Sequence, residues 1–383
     1  MIPNKCRAWV EIDLDSIVYN YLESTKLLKS GCQIISVLKA DAYGLGAVPI
    51  ARALWDAGCN YFAVAYLDEA IELREKGILS RLLTFTPIPE TLSGIALCNH
   101  IESPVVSFEQ AKRLSDSLPN GARLNVHIKL DLGLSRIGIP VKDRWDEAME
   151  EILKIFSLPR LQVVALMGHI TGSRGPGGDV LNRSQLKLYD DMSAALEEKG
   201  LRFEKHCLSS QPFLKYPAYA HDFVRLGALL YGSMPGFVIP FKLKPSVGLY
   251  SKVIQVKSVP PGTPVSYGPE YHTLRQTTIA TIGLGFSDGI RRSVVNGGAV
   301  LLRGRKVPFI GVLCSDYAML DVTDVPHVAQ GDTVTIFGCS GDLIQGIEDY
   351  AAIYPASVSE TTSQFSKRLP RFYLRHNNNF CKE

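Results

Sequence analysis

The sequence has neither a long hydrophobic run nor an excess of charge of one sign. The longest uncharged stretch, residues 226–241, is interrupted by glycines and prolines and is shorter than the roughly 20 residues that a membrane helix needs. Forty-one basic residues oppose 38 acidic residues, which leaves a net charge of +3. Polybasic proteins that bind nucleic acids or membrane surfaces carry far more charge. We therefore expect neither nucleic acid nor a membrane as a partner.

Paired cysteines are also missing. The eight cysteines are scattered along the chain, with no Cys-x-x-Cys motif and no histidine pair beside them. In a chain of this length, that distribution is typical of reduced thiols rather than of a disulfide framework or a zinc site. The first residues, MIPNKCRAWVEIDLD, also lack the apolar core of a signal peptide. We expect a cytoplasmic protein without a metal site.

What is present is a regular alternation of strand and helix patterns. Residues 33–38 and 61–65 are apolar runs typical of buried strands, and residues 48–57 and 67–76 are helical segments that end at glycines. Similar units continue to about residue 226, without a G-x-G-x-x-G fingerprint. The pattern predicts an N-terminal (β/α)8 barrel of the TIM type.

A second pattern begins near residue 243. Short strand-like runs at 253–256, 278–282, 299–302, 307–311 and 333–337 are separated by turn residues. The 383-residue length also favours two domains. We predict a barrel over residues 1–242 and an all-β domain over residues 243–383, with the first residues of the chain as a candidate strand of the β-domain.

Lys39 is the first candidate for chemistry. It follows the predicted strand QIISVL directly, in the sequence VLKADAYGLG. A lysine at the mouth of a barrel, carried on an apolar strand, loses its proton easily and can form a Schiff base. Taken alone, however, a lysine that ends a strand is usually a solvated charge at the barrel rim.

Lys129 and Arg136 lie at another strand end, in KLDLGLSRIG. Two cations on one loop repel each other and call for a nearby anion. That anion is a phosphate, a substrate carboxylate or a chemically modified lysine, unless the two residues are simply surface charges.

Other candidates follow later strands or lie on turns. The two histidines, His169 and His206, either stack on a ligand ring or form hydrogen bonds in the core. The hydroxyls of Ser209 and Ser210 either bind a phosphate or cap a helix. Arg225, if buried, needs a hydrogen-bond acceptor. Tyr267, in VSYGPEY, lies on a glycine-flanked turn with its phenol free to project. Turn tyrosines are, however, common and mostly inert.

The order of these motifs is more informative than any one of them. The chain carries KADAYG at 39–44, Lys129 and Arg136 around Gly133, VSYG at 265–268, and later GFSDG, CSD and RLPR. In this order and spacing, the sequence resembles the alanine racemase family. The family comprises pyridoxal-phosphate (PLP) enzymes with a (β/α)8 barrel and a C-terminal β-domain. The resemblance covers about residues 8–375.

The resemblance implies roles for individual residues. Lys39 would bind PLP covalently, and Arg225 would donate to the pyridine nitrogen. The remaining PLP contacts would come from a set that surrounds the phosphate and the ring: Tyr43, Ser210, the backbone at Gly227, and His169. Arg136 would contact the PLP phenolic oxygen and the substrate carboxylate. Lys129 resembles a lysine that is carbamylated in many members, which would turn the cation into an anion.

The resemblance also implies a shared active site. Racemisation needs an acid–base group on each face of the reacting carbon, because one base on one face returns the same enantiomer. Lys39 would serve one face and remove the proton of the D-enantiomer. Tyr267 of the partner subunit would serve the other face and act on the L-enantiomer. The protein would therefore be a homodimer.

Several positions depart from the family pattern. The usual histidine of KADAYGHG, the alanine after the ring-flanking histidine, the asparagine before the phosphate serine, and the tyrosine of GYADG are replaced here by Leu45, Gly172, Ser209 and Phe286. Ser315 stands where a methionine near the substrate is usual, and Lys367 replaces a tyrosine near the phosphate. Lys367 either takes over the phosphate contact or favours a substrate other than alanine, such as serine, a larger amino acid or an acidic one.

Two other functions share this barrel type. One is a non-catalytic PLP-binding protein, but such proteins lack the β-domain and the opposing tyrosine. The other is a decarboxylase, which would use a cysteine from the partner, and Cys314 keeps that alternative open.

Overall fold

Two sheets organise the molecule, as seen in a computed structural model that describes residues 6–172, 177–268, 270–341, 343–353 and 357–375. Parallel strands form the first sheet in the order β10-β2-β3-β4-β5-β6-β8-β9, with β7 beside β6. Their bounds are β2 (Gln33–Val37), β3 (Tyr61–Val64), β4 (Arg81–Thr84), β5 (Ile101–Val105), β6 (Leu124–Asp131), β7 (Ile139–Pro140), β8 (Leu161–Met167), β9 (Glu204–His206) and β10 (Phe223–Leu226).

The sheet closes on itself. A parallel bridge joins Ser209 to Arg225, and the Arg225 amide donates to the Leu208 carbonyl at 3.0 Å. The side chains enclosed by the strands form a small core of their own, made of Ile35, Tyr61, Ala63, Leu83 and Phe223. The predicted barrel is therefore confirmed, and its strands all end at one mouth.

Helices cover the outside of the barrel. They are α1 (Leu14–Thr25), α3 (Ala47–Asp56), α4 (Leu67–Glu75), α5 (Ser93–Cys98), α6 (Phe108–Ser117), α7 (Trp145–Phe156), α8 (Gly178–Glu198) and α9 (Ser210–Lys215), with 3₁₀ turns at Glu90–Leu92 and Pro217–Tyr219. The short segment α2 (Lys39–Gly44) is a turn that follows β2 directly. In α4, Leu67, Ala70 and Leu73 are buried on one face, as the helical period requires. In the described part of the chain, no helix is both long and apolar enough to cross a lipid bilayer.

The second sheet belongs to the C-terminal part of the chain, in the order β17-β16-β13-β14-β15-β12-β11-β1-β18. Its strands are β1 (Ala8–Asp13), β11 (Val247–Val259), β12 (Thr277–Ile282), β13 (Ala299–Leu302), β14 (Arg305–Ile310), β15 (Ala318–Asp321), β16 (Thr333–Ser340), β17 (Leu343–Gln345) and β18 (Arg371–Leu374). The predicted all-β domain is confirmed as an architecture, with α10 (Ile347–Ala352), α11 (Val358–Ser363) and 3₁₀ turns at Phe286–Asp288 and Arg292–Val295 added to it.

The first strand of the chain pairs inside this second sheet. Val10 lies opposite Leu249 of β11 in an antiparallel ladder and opposite Arg371 of β18 in a parallel one. The chain therefore contributes one strand to the β-domain before it enters the barrel. The domain boundary at residues 242 and 243 stays a prediction. None of the described cysteines forms a disulfide, and Cys381 lies outside the described residues.

Candidate active site

The turn after β2 has an unusual backbone. The four residues from Ala40 to Tyr43 have φ between 52° and 57° and form one left-handed turn. Each such non-glycine residue costs about 1–2 kcal/mol, so surrounding contacts must hold the turn. The Ala40 amide donates to Glu69 Oε1 at 2.5 Å, and the Ala47 amide donates to Asp41 Oδ1 at 2.7 Å. Retained strain of this kind is typical of functional sites.

Lys39 begins this turn at the C-terminal end of β2. Its side chain is half-buried, and its ammonium lies 6.0 Å from the centre of the Tyr43 ring. Burial and the nearby charge of Arg136 lower the pKa of Lys39, while Glu69 acts in the opposite direction. A lower pKa makes the neutral, nucleophilic amine more available, as a Schiff-base lysine requires.

A cup of polar groups lies next to the turn, formed by Tyr43, Ser210 and Gly227. Ser210 Oγ accepts from the Gly227 amide at 3.1 Å. A Cβ added to Gly227 would meet the Tyr43 hydroxyl at 2.7 Å, so only glycine leaves this space open. Burial raises the pKa of Tyr43 to about 12, which keeps its hydroxyl as a donor. Two hydroxyls and the start of α9 make a cradle of the kind that suits a phosphate.

Arg225 lies buried at the end of β10, where its two terminal nitrogens are fully engaged. One donates to His206 Nδ1 at 2.6 Å and to the His206 carbonyl at 3.0 Å. The other donates to the carbonyls of Gly168 and Cys207 at 2.7 and 3.0 Å and approaches His169 Nδ1 at 3.2 Å. Among the described residues, Nε–H is the donor of this guanidinium that remains for a ligand. It suits a ring nitrogen that must accept.

Lys129 is buried at the end of β6, where its ammonium donates to the Leu130 carbonyl at 3.1 Å. Burial and the charges of Arg225 and Arg136 lower the pKa of Lys129 to about 7. Burial, together with the same cations, holds the pKa of His169 well below its usual range. A neutral imidazole and a partly neutral lysine therefore lie close to Arg136 and Arg225, which agrees with the repulsion expected between Lys129 and Arg136.

The predicted residues of the β-domain form a separate group in the chain. Tyr267 has 73% of its side chain exposed, on a turn held by a hydrogen bond from Ser266 Oγ to the Val312 carbonyl at 2.7 Å. Ser266 Oγ also lies 3.3 Å from Cys314 Sγ, next to Ser315. Within the described residues, no recorded contact joins Tyr267 to Lys39.

Lys367 is exposed in a segment that lies over the left-handed turn. Arg371 fixes the segment by donating to the Gly44 carbonyl at 3.1 Å and to the Ser366 carbonyl at 3.0 Å. Among the described residues, no recorded contact joins the Lys367 ammonium to the cup. The cofactor contact assigned to Lys367 stays a prediction, as does the substrate contact assigned to Ser315.

Sequence reasoning missed the polar groups behind this site. Glu102 and His127 are buried inside the barrel, in line with His206 and Arg225. The available signal was a glutamate between apolar neighbours in IESPV and a histidine between the apolar Val126 and Ile128 in LNVHIKLD. Buried polar groups of this kind must be hydrogen-bonded.

The fold and the site together define a class of protein. A closed barrel gathers a lysine, an arginine, a histidine and a phosphate-sized cup at the C-terminal ends of its strands, and a β-domain follows. This is the arrangement of a two-domain barrel enzyme whose site is built from strand-end loops.

Comparison with known proteins identifies the family. Residues 12–235 match the family model "Alanine racemase, N-terminal domain" and residues 246–373 match "Alanine racemase, C-terminal domain". The chain is similar to an alanine racemase of Desulfovibrio desulfuricans, with 35% identity over 370 residues that cover 96% of this chain and 98% of the relative. The chain belongs to the alanine racemase family.

Solved structures agree. An alanine racemase of Clostridium difficile 630 superposes with a TM-score of 0.90 at 31% identity, covering 98% of this chain and 97% of that one. The alanine racemase of Bartonella henselae with covalently bound pyridoxal phosphate superposes with a TM-score of 0.85 at 26% identity, covering 96% of this chain and 100% of that one.

Proposed function

We propose that this protein is a PLP-dependent alanine racemase. The observation that carries the proposal is the half-buried Lys39 at the end of β2, whose lowered pKa suits covalent binding of an aldehyde. The adjacent cup of Tyr43, Ser210 and Gly227 suits the phosphate of the same ligand. The activity in the names of the relatives supports the same conclusion.

The residues present fit PLP. Tyr43, Ser210 and Gly227 would hold the phosphate. Arg225 would donate Nε–H to the ring nitrogen, and His169 would lie against the ring. When bound, the cofactor supplies an electron-withdrawing ring that makes the α-proton of an attached amino acid acidic. Burial lowers the pKa of Arg225, but a guanidinium is still far too basic to give its proton to that nitrogen, so electron withdrawal stays moderate and side reactions are limited.

We also propose that Lys129 is carbamylated. Only a neutral amine attacks carbon dioxide, and the lowered pKa of Lys129 supports a large neutral fraction near pH 7. The product is an anion between two arginines. It would orient Arg136 towards the PLP phenolic oxygen and the substrate carboxylate.

Two bases would share the proton transfer. Lys39 would act on one face of the α-carbon and Tyr267 of the partner subunit on the other, so that each removes the proton of one enantiomer. The exposed position of Tyr267, away from Lys39 of its own chain, supports a head-to-tail homodimer with shared sites. A cytoplasmic location also remains a prediction.

A hydrogen-exchange assay distinguishes this function from the two alternatives. We expect that L-alanine incubated with the enzyme in heavy water yields D-alanine with deuterium at the α-carbon, because each inversion takes a proton from the enzyme. A decarboxylase would release carbon dioxide instead, and a PLP-binding protein without activity would do neither. Either of the latter results would contradict the proposed function.

The substitutions at Ser315 and Lys367 favour one alternative, a racemase that prefers serine, a larger amino acid or an acidic one. Ser315 is smaller than the usual methionine, and the exposed Lys367 adds a cation where a tyrosine is usual. On this alternative, serine or an acidic amino acid turns over faster than alanine. The double variant Lys367→Tyr with Ser315→Met then shifts the preference towards alanine by about tenfold or more, since a methylene-sized change is worth about 1–3 kcal/mol.

The measurement is a panel of L-amino acids analysed by chiral chromatography, with wild type and the double variant side by side. Single variants serve as controls that separate the effect of charge from the effect of space. A wild type that prefers alanine at least about tenfold over every other substrate, with no change in the double variant, would rule the alternative out.

A further inference from the structure

A continuous line of hydrogen bonds runs through the inside of the barrel and ends at Arg225. Glu102 Oε2 lies 2.8 Å from His127 Nε2, and His127 Nδ1 lies 2.8 Å from His206 Nε2. His206 Nδ1 lies 2.6 Å from the nearer terminal nitrogen of Arg225. All four side chains are buried. We call these residues, Glu102, His127, His206 and Arg225, the barrel relay.

The chemistry of Arg225 fixes the direction of every bond in the relay. A guanidinium only donates, so His206 Nδ1 must accept and the proton of this ring lies on Nε2. His206 Nε2–H then donates to His127 Nδ1, which places the proton of His127 on Nε2 as well. If His127 were doubly protonated, its Nδ1–H would donate to His206 Nε2, and the proton of His206 would then lie on Nδ1, where it would meet an N–H of the guanidinium. The hydrogen bonds are therefore consistent only with two neutral rings. The last proton points at the Glu102 carboxylate.

The far end of the relay is anchored by charge. Arg81 donates to both oxygens of Glu102, at 3.0 and 3.3 Å, and the Tyr61 hydroxyl donates to Oε2. Burial alone would raise the pKa of Glu102, but the hydrogen bond from His127 and the charge and hydrogen bonds of Arg81 act in the opposite direction and lower it. The carboxylate is thus a permanent acceptor.

Arg81 reaches the opposite mouth of the barrel. Its other partner is Glu204, at 2.8 and 3.1 Å. The side chains of Arg81 and Glu204 are 36% and 39% exposed, whereas that of Glu102 is 5% exposed. Glu204 belongs to the same ion network, but none of its recorded bonds reaches a histidine in the described residues. It is therefore a matched control for Glu102.

We propose that Glu102 is a positioning residue for the cofactor ring, acting from the far side of the barrel through His127 and His206 on Arg225. The proposal rests on the proposed function in one respect, that Arg225 Nε–H faces the ring nitrogen. One terminal nitrogen of the guanidinium donates to His206 Nδ1, and the relay allows no reversal of this bond. The bond therefore fixes the plane of the Arg225 guanidinium. The Nε–H donor is then held in place before the cofactor binds.

The substitution Glu102→Gln shows why a carboxylate is required. Glutamate accepts with both oxygens, but glutamine must present its NH₂ to either Arg81 or His127. Facing Arg81, the NH₂ meets a cationic donor. Facing His127, the NH₂ requires Nε2 of that ring to accept, so the proton of His127 moves to Nδ1. His206 Nε2 must then accept from His127, and the proton of His206 moves to Nδ1, where it meets an N–H of Arg225. In both orientations a donor meets a donor. Facing His127, the amide breaks a bond of the relay itself; facing Arg81, it breaks the bond that anchors Glu102.

The direct test uses nitrogen-15 NMR of the histidine rings in the full-length protein, with signals assigned by replacing each histidine in turn by asparagine. In wild type, with and without PLP, we expect His127 and His206 to be neutral and protonated at Nε2. A proton on Nδ1 of either ring, or a positively charged ring, overturns the relay. This measurement needs no variant of Glu102 to fold and no activity.

The second test titrates PLP into cofactor-free protein and follows its absorbance. We expect Glu102→Gln to shift the ring nitrogen signals of His127, which loses its charged acceptor, and to weaken PLP binding about tenfold, the lower end of the range for residues behind metal ligands. Glu204→Gln should leave both rings unchanged and PLP affinity within about twofold, because a half-exposed ion pair contributes little. Equal effects of the two variants, or an unchanged Glu102→Gln protein, overturn the proposal.

The proposed PLP-dependent activity and the proposed role of Glu102 are contradicted by different results. If the histidine rings have the expected protons but PLP does not bind wild type, the proposed function fails and the relay stands as a structural network. If PLP binds through Lys39 but the rings are protonated otherwise, the function stands and the role of Glu102 fails.

Discussion

Replacing Lys39 by alanine is expected to abolish both the absorbance of protein-bound PLP and the racemisation of alanine. The substitution removes the amine at the end of β2 that attaches the cofactor and one of the two groups that move the α-proton. Loss of acid–base catalysis alone lowers the rate by about 100-fold or more. The measurements are the visible spectrum of the purified protein with added PLP and a chiral assay of alanine.

Lys129 provides the control for this prediction. It is the other lysine at the barrel mouth whose pKa is lowered by burial and nearby arginines, so it is the rival site for attachment of PLP. The variant Lys129→Ala should keep the absorbance of bound PLP. If Lys39→Ala keeps that absorbance and Lys129→Ala loses it, the assignment of Lys39 is wrong.

The fold could be predicted because its signals are local. Apolar runs of strand length alternate with helical segments that end at Gly58, Gly77 and Gly200, each with a positive φ. The lengths of elements were harder to predict. The run at 253–256 is only part of β11, which spans Val247–Val259, and the run at 333–337 is only part of β16, which spans Thr333–Ser340. These extensions depend on pairing and packing partners that are distant in sequence.

Some residues of the candidate site could be predicted from local sequence, and others could not. Lys39, Tyr43, Arg225 and Tyr267 lie in short motifs whose order along the chain is distinctive, so they could be found without a structure. The barrel relay could not, because its bonds join residues on different strands. Glu102 and His127 are 25 positions apart, and His127 and His206 are 79 apart. The left-handed turn is equally hidden, since Ala40 and Asp41 carry no sequence signal for positive φ.

Removing the hydroxyl of Tyr267 is expected to cause the second large loss of racemisation activity. The variant Tyr267→Phe should bind PLP as wild type does, because Tyr267 lies on an exposed turn of the β-domain and not in the cup. Its racemisation rate should fall by about 100-fold or more, since the phenol is the acid–base group for one face of the α-carbon. Spectra of bound PLP and chiral assays in both directions test the two halves of this prediction. Near-normal racemisation would mean that another group serves that face.

Mixing the two inactive variants tests where Tyr267 acts. If each site combines Lys39 of one subunit with Tyr267 of its partner, a dimer of one Lys39→Ala chain and one Tyr267→Phe chain has one intact site and one site that lacks both groups. Random reassembly of equal amounts should then restore about a quarter of the wild-type activity. Mixing wild type with the double variant Lys39→Ala/Tyr267→Phe, under the same conditions, shows how well chains exchange. If chains exchange but the two single variants regain no activity, Tyr267 acts within its own chain, and the shared site is wrong.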